Sequence, residues 1–431
     1  MRVKVLVVPC SLQIGGSEIN AVDLAAGVQQ RGHDVVVYGL PGPLEDKAAA
    51  VGLRVVHAHY PLRLRPSPLA VQDLAALLRR EQPDLVHSYE SYCSTEAFYA
   101  TCLYSRTRMV STIYAMSIDE YLPRSLPVIA GTEALQAAFS LSRPGAPVYR
   151  LDPPVDVDAN RPDRADGYRF RRVHNIADDE HLVVVVSRLD VWLKLDGLLD
   201  AVDAAAQVAS DMRIRLLVVG DGPARDALAR RAAAVNAVSG REVVTLVGAL
   251  LDPIPAYRAA DVVVGMGTSL LRGMAVGRPC VLVGELGLVR VIRPDTIEPF
   301  LVQGFWGVGD GTRGTDRLAR ALREVLTMAA EESAALGEFG RGLVVDRFGL
   351  DVSVDRLLEI YGQAAQWQPD GRQLALDLVR TPLRLVSRKV QDHLPSRRRA
   401  RRKMLSGTGG NGHSYEAALA TPAVFSPSTR D

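Results

Sequence analysis

Arg188 and Lys194 lie close together in Ser187-Arg188-Leu189-Asp190-Val191-Trp192-Leu193-Lys194, directly after the apolar run at residues 182–186. A run of that length reads as a buried strand, so both cations are expected just beyond its carboxyl end. A guanidinium presents a planar fork to phosphate oxygens, and an ammonium a mobile point charge. Together they suit a diphosphate that gains charge as it leaves a reacting carbon, and they are the expected catalytic pair. The alternative is two solvated surface charges. Two glycine-rich turns offer related chemistry. Gly15-Gly16-Ser17-Glu18 follows the run at 3–8, and Gly265-Met266-Gly267-Thr268-Ser269 follows the run at 261–264. Each opens a helix, where glycine admits close backbone approach and the first N–H groups face an anion. Ser17, Thr268 or Ser269 would equally serve as a plain N-cap. The first of these turns lacks the G-x-G-x-x-G spacing of a dinucleotide site. Gly220-Asp221-Gly222-Pro223 sits at another strand end and reads as a loop shaping the site or as a simple turn.

The surrounding pattern says what must position these groups. Strand-like runs at 3–8, 34–38, 53–57, 85–87, 109–113 and 128–130 alternate with helical stripes such as 18–30 and 71–80. The alternation restarts with strands at 182–186, 214–219, 243–247, 261–264 and 279–283, and helices at 198–208, 225–234 and 269–276. This predicts an α/β chain of two doubly wound domains facing a cleft, with ligands beyond the carboxyl ends of the strands. The expected domains are residues 1–160 and 168–350, with the polar stretch 158–167 read as a crossing linker. A helix at 351–370 should cross back to the first domain, a basic amphipathic segment should cover 371–404, and 405–431 should be disordered.

Bulk properties narrow the class. The 431 residues are 48% hydrophobic and 23% charged, ordinary values for folded domains. No apolar run approaches the roughly 20 residues needed to span a bilayer. The N-terminus enters a strand at once, without the regions of a signal peptide, so a cytoplasmic location is expected. Cys10, Cys93, Cys102 and Cys280 are scattered, so packing roles are expected rather than a zinc or disulfide framework. From Arg380 onward there are 11 basic and 3 acidic residues, leaving 40 basic against 46 acidic before it. An acidic body with a basic tail does not predict a nucleic-acid partner.

Five motifs occur in order: Gly15-Gly16-x-Glu18; Ser187-Arg188-Leu189-Asp190 with Lys194; Val219-Gly220-Asp221-Gly222-Pro223; Leu246-Val247-Gly248; and Gly273-Met274-Ala275-x-Gly277-x-Pro279. Over residues 1–365 the chain thereby resembles the GT-B-fold glycosyltransferases of family 4. The resemblance implies transfer of a sugar from a nucleotide-sugar donor to a hydroxyl acceptor without a metal or other cofactor. It places Gly15 and Gly16 near the donor phosphates, Arg188 and Lys194 on the diphosphate, and Val247 at the nucleobase. The chain departs from the family twice. Val264 and Arg272 occupy the positions of a Glu-x7-Glu element, and Tyr114 stands where a histidine is usual. Gly267, Thr268, Ser269 and Glu285 are therefore expected to complete the donor site, and His87, Tyr114 and Asp119 to line the acceptor side. Two alternatives stay open: an inverting GT-B transferase or nucleotide-sugar 2-epimerase, and an inactive GT-B partner protein.

The tail carries its own signal. Val379, Leu383, Val386, Val390 and Leu394 share one helical face, with Arg380, Arg384 and Arg388 beside it and Pro382 expected in the first turn. The run Arg397-Arg398-Arg399-Ala400-Arg401-Arg402-Lys403 follows. Residues 379–403 thus read as a segment for an anionic membrane surface, or as a helix packed on the acidic body.

Overall fold

The apolar runs become parallel strands because each is covered on both faces. The computed structural model describes residues 2–61, 65–105, 107–115, 118–191 and 194–393. The disorder expected at 405–431, and the basic run from Arg397, lie outside these. The chain divides into two units: one holds Met1–Gln13, Val28–Leu151 and the residues from Leu357 on, the other Ile14–Gly27 and Asp152–Arg356.

In the first unit, β1 (Lys4–Val8), β2 (Asp34–Gly39), β3 (Arg54–His57), β4 (Leu85–Tyr89), β5 (Arg108–Ile113), β6 (Val128–Ala130) and β7 (Val148–Arg150) form one sheet. Their order is β3-β2-β1-β4-β5-β6-β7, all parallel. Val5 is paired with Val35 on one side and Leu85 on the other. Val5, Leu6 and Val8 are wholly buried, each side chain contributing about 1.5–3 kcal/mol by leaving water. The second unit repeats the plan with β8 (His181–Val186), β9 (Ile214–Val219), β10 (Val244–Gly248), β11 (Val262–Gly265), β12 (Cys280–Val283) and β13 (Val289–Val291). Here the order is β10-β9-β8-β11-β12-β13, with only β13 antiparallel. Strand order therefore reverses between β1 and β4 in one sheet, and between β8 and β11 in the other. At such a point the loops leaving neighbouring strands diverge and open a crevice.

Several expectations need correction. The stretch 158–167 is not all linker, because the helix Arg164–Val173 begins inside it. Asp163 caps that helix by accepting from Asp166 N–H at 3.1 Å, and Phe170 anchors it in the core. One buried aromatic among charges gives almost no periodic signal. Strands β7 and β13, three residues each, were also too short to show alternation. Cys10 and Cys93 are not separate packing groups: they form a disulfide. Cys10 follows β1 and Cys93 lies in the first turn after β4, so the reversal of strand order sets them side by side. Cys280 is free and buried, and Cys102 free and half-buried.

The terminal helix runs from Gly371 to His393, which places Pro382 mid-helix instead of in the first turn. Proline lacks the N–H that would bond the Leu378 carbonyl. Tyr99 Oη donates to that carbonyl instead, at 3.0 Å. Among the described residues no helix is long and apolar enough to cross a membrane.

Candidate functional site

The segment that carries Arg188 is laid down by the end of β9. Gly220 and Gly222 have φ of 145° and 150°. A Cβ on Gly220 would lie 1.8 Å from the Ser187 carbonyl oxygen, and one on Gly222 2.5 Å from that of Leu189. The glycines therefore let the 187–190 backbone rest directly on this turn. Leu189 N–H donates to the Asp221 carbonyl at 2.9 Å, and Ala224 N–H to the Leu189 carbonyl at 2.9 Å. Arg188 is left exposed at the carboxyl end of β8.

Lys194 closes the same loop and starts the helix Leu195–Val208. It is half-buried, and its ammonium has no hydrogen-bond partner among the described residues. Its pKa is held below the ordinary lysine value, first by burial and then by Arg188, while Asp190 acts in the opposite direction. Burial and a neighbouring guanidinium both disfavour the charged ammonium.

Lys194 and Ser187 line a pocket of about 30 Å³ together with Gly265, Met266, Ser269 and Val283. Gly267, at φ 60°, is the N-cap of the helix Thr268–Ala275, and no side chain caps that first turn. Thr268 and Ser269 are thus not the N-cap themselves. Ser269, in the first turn of that helix, lines the same pocket as Lys194. A Cβ on Gly16 would lie 3.9 Å from Thr268 Oγ1, so the structure brings the first glycine turn here as well. That turn already carries an anion. The Glu18 carboxylate folds over Gly15, with Oε2 2.2 Å from where a Cβ would be. Burial raises the Glu18 pKa, opposed by its own backbone N–H and then by Arg188. Glu18 as a neighbour of Arg188 had no signal in the sequence beyond its place in the motif.

Two other residues expected on the donor side, Val247 and Glu285, lie in β10 and just after β12 of the same sheet. A register shift between Leu246 and Gly248 makes Val247 a bulge, which takes its peptide groups out of regular pairing. Glu285 is half-buried after β12 and accepts from Trp306 Nε1 at 2.8 Å. Burial raises its pKa, the Trp306 bond lowers it, and Asp196 raises it. Trp306 was missed, since an isolated tryptophan in a loop carries no periodic or motif signal.

In the first unit, His87 does not reach the acceptor side. β4 continues to Tyr89, so His87 is a mid-strand residue with no exposure. Its Nδ1 and Nε2 are hydrogen-bonded to Tyr361 Oη and Thr112 Oγ1, both at 2.7 Å, and burial lowers its pKa to about 3. It is a neutral core residue. Tyr114 and Asp119 do share the loop after β5. The Tyr114 and Ala115 N–H groups each donate to the Glu90 carboxylate at 3.3 Å, and Asp119 accepts from Tyr121 Oη at 3.1 Å. Tyr92 stacks on Tyr121 at 5.5 Å.

Comparison with known proteins bears on the family and the fold. The model of Glycosyltransferase Family 4 matches residues 14–138, and that of Glycosyl transferases group 1 matches residues 180–327. Together they cover more than half the chain. The N-acetyl-alpha-D-glucosaminyl L-malate synthase of Bacillus anthracis is 22% identical over 85% of this chain and 98% of its own. A GDP-mannose-dependent alpha-(1-6)-phosphatidylinositol monomannoside mannosyltransferase of Mycobacterium tuberculosis is 26% identical over 77% and 90%. The crystal structure of Anabaena HepE in complex with UDP and glucose superposes with a TM-score of 0.66 at 17% identity, covering 84% of this chain and all of that one. With two doubly wound sheets, the ordered motifs and these matches, the chain belongs to the family 4, group 1 glycosyltransferases of GT-B fold, enzymes that move a sugar from a nucleotide-sugar donor.

Proposed function

We propose that Arg188 and Lys194 bind the donor diphosphate and stabilise it as the leaving group, with Gly267, Thr268 and Ser269 completing the phosphate site. The observation that carries this reading is the half-buried Lys194, its ammonium without a hydrogen-bond partner among the described residues, lining one pocket with Ser269. Two cations and a helix start supply the charge compensation that a metal provides elsewhere, so the reaction is assigned no metal or other cofactor. Gly15 and Gly16 close the phosphate side once Glu18 turns away toward Arg188. The Val247 bulge faces the nucleobase, and Glu285, held by Trp306, the sugar. Tyr114 and Asp119 belong to the side that takes the acceptor hydroxyl; no nucleic acid is involved.

The comparisons suggest which donors to test, since one relative is named for GDP-mannose and one solved structure contains UDP and glucose. A thermal-shift panel of UDP, GDP and their sugars should find one ligand that stabilises the protein by about 2.7 kcal/mol at a hundredfold excess over its Kd. Arg188→Ala and Lys194→Ala should each remove that shift. A shift that survives both changes refutes the diphosphate assignment.

The terminal helix supports a place for the enzyme at an anionic membrane surface, on the cytoplasmic face. Leu376, Val379, Leu383 and Val386 are 43%, 64%, 67% and 60% exposed along one side. The helix packs on the first unit through a different face, which leaves this stripe outward. Basic residues near lipid contribute roughly 1 kcal/mol each.

A further inference from the structure

The inward face of the terminal helix is specific. Leu374 and Leu378 pack on the core of the first unit, and Asp377 and Thr381 are 3% exposed. Asp377 accepts from Ser125 N–H at 2.7 Å and from Gln373 Nε2 at 2.9 Å. Towards its end, Arg384 Nη1 donates to the Glu120 carbonyl at 2.9 Å, and Lys389 Nζ to the Arg65 carbonyl at 3.5 Å. Glu120 is in the loop after β5 and Arg65 in the segment after β3. Both belong to the carboxyl edge of the sheet, where Asp119 and Tyr114 also lie. The helix is therefore braced against the acceptor-side loop itself.

Its outward face is apolar, with Leu376, Val379, Leu383 and Val386 flanked by exposed Arg372 and Arg380 and no acidic side chain among them. The sequence beyond adds six further basic residues between Arg397 and Lys403. An apolar stripe bordered only by positive charge matches an anionic bilayer rather than an acidic protein groove, which would leave the stripe unsatisfied.

We infer that the acceptor is itself lipid-borne: an amphiphile resident in an anionic bilayer, whose head-group hydroxyl reaches the Asp119 loop when the terminal helix lies on the membrane. The inference rests on the transferase reading above. In the step, the acceptor oxygen bonds to the sugar's anomeric carbon. The bond from that carbon to the diphosphate oxygen breaks, and its electron pair leaves with the nucleoside diphosphate. The hydroxyl proton passes to that departing diphosphate or to water. No oxidant or further reactant enters.

The test uses the full chain and the radiolabelled nucleotide sugar that gives the largest thermal shift. It is incubated with vesicles of total lipid from the source organism, and separately with the water-soluble small-molecule fraction of the same cells. Label should move into the chloroform–methanol phase. The variant Val379→Glu/Leu383→Glu/Val386→Glu changes only exposed positions, so it should keep its donor-induced thermal shift while its labelling of lipid falls at least tenfold. Label appearing only in water-soluble product, at equal rates for both proteins, overturns the lipid acceptor while leaving the transferase intact. Equal labelling of lipid by both proteins overturns the role of the helix. Absence of nucleoside diphosphate release in every arm overturns the transferase reading and this inference with it.

Discussion

Lys194 sets the pH behaviour of the site. Its folded pKa is depressed by burial and by Arg188, so the unliganded lysine loses its proton below the usual lysine range. The diphosphate needs the charged form. Donor affinity should therefore fall on the alkaline side, from a lower pH than an ordinary lysine would give, by about tenfold per unit once the lysine is neutral. Calorimetric titration of the nucleoside diphosphate across pH measures this. Arg188→Gln removes one of the two causes and should move the alkaline limb upward, even as it weakens binding. For turnover, Arg188→Ala or Lys194→Ala should cost about 3 kcal/mol of transition-state stabilisation, on the order of a hundredfold in kcat. The Arg188 side chain is exposed and makes no hydrogen bond among the described residues, so its loss should leave the ligand-free Tm unchanged. His87 contributes nothing to these profiles, because burial keeps it neutral until about pH 3.

The loops owe their shape to the elements beneath them. Gly220 is the strictest case, since a methyl group there would overlap the Ser187 carbonyl. Gly220→Ala should destabilise by about 2 kcal/mol or more and lower Tm by roughly 4–8 °C. It should also abolish donor binding, because the 187–194 loop must lift. Gly240→Ala is the control: it has φ 64° but nothing within 4 Å of the added methyl, so only the backbone cost of about 1 kcal/mol applies, with donor affinity unchanged. For the terminal helix, Asp377 is the buried anchor, accepting from Ser125 N–H at 2.7 Å. Asp377→Ala leaves that buried N–H without its acceptor, at a cost of about 1–3 kcal/mol. Amide hydrogen exchange over residues 371–389 should then accelerate while the sheet of the second unit stays protected. Unchanged exchange would mean that the apolar contacts of Leu374 and Leu378 suffice.

Across the whole molecule, charge is divided between an acidic body and a basic end. Binding to anionic vesicles should weaken as salt rises from about 0.1 M, where charges act over roughly 10 Å, to about 1 M, where they act over roughly 3 Å. It should not vanish, because the exposed stripe of the terminal helix is indifferent to salt. Vesicle sedimentation at the two salt levels separates these contributions. Complete loss at high salt would reduce the stripe to a bystander.

The strand runs, the ordered glycine motifs and the Arg188–Lys194 pair were all legible in the sequence, because burial on both faces and turns requiring positive φ constrain residue type locally. Contacts set by strand order were not. The pairing of Cys10 with Cys93, and the placing of Lys194 and Ser269 on one pocket, depend on where the sheets reverse, which no local pattern encodes. His87 was misplaced because two extra residues of β4 turn a strand end into a core position. Likewise the sequence showed an apolar stripe on the terminal helix, but only tertiary packing decided that a second face would bind the protein and leave that stripe outside. Local chemistry selects what each segment can be; the long-range competition for buried surface selects which face it shows.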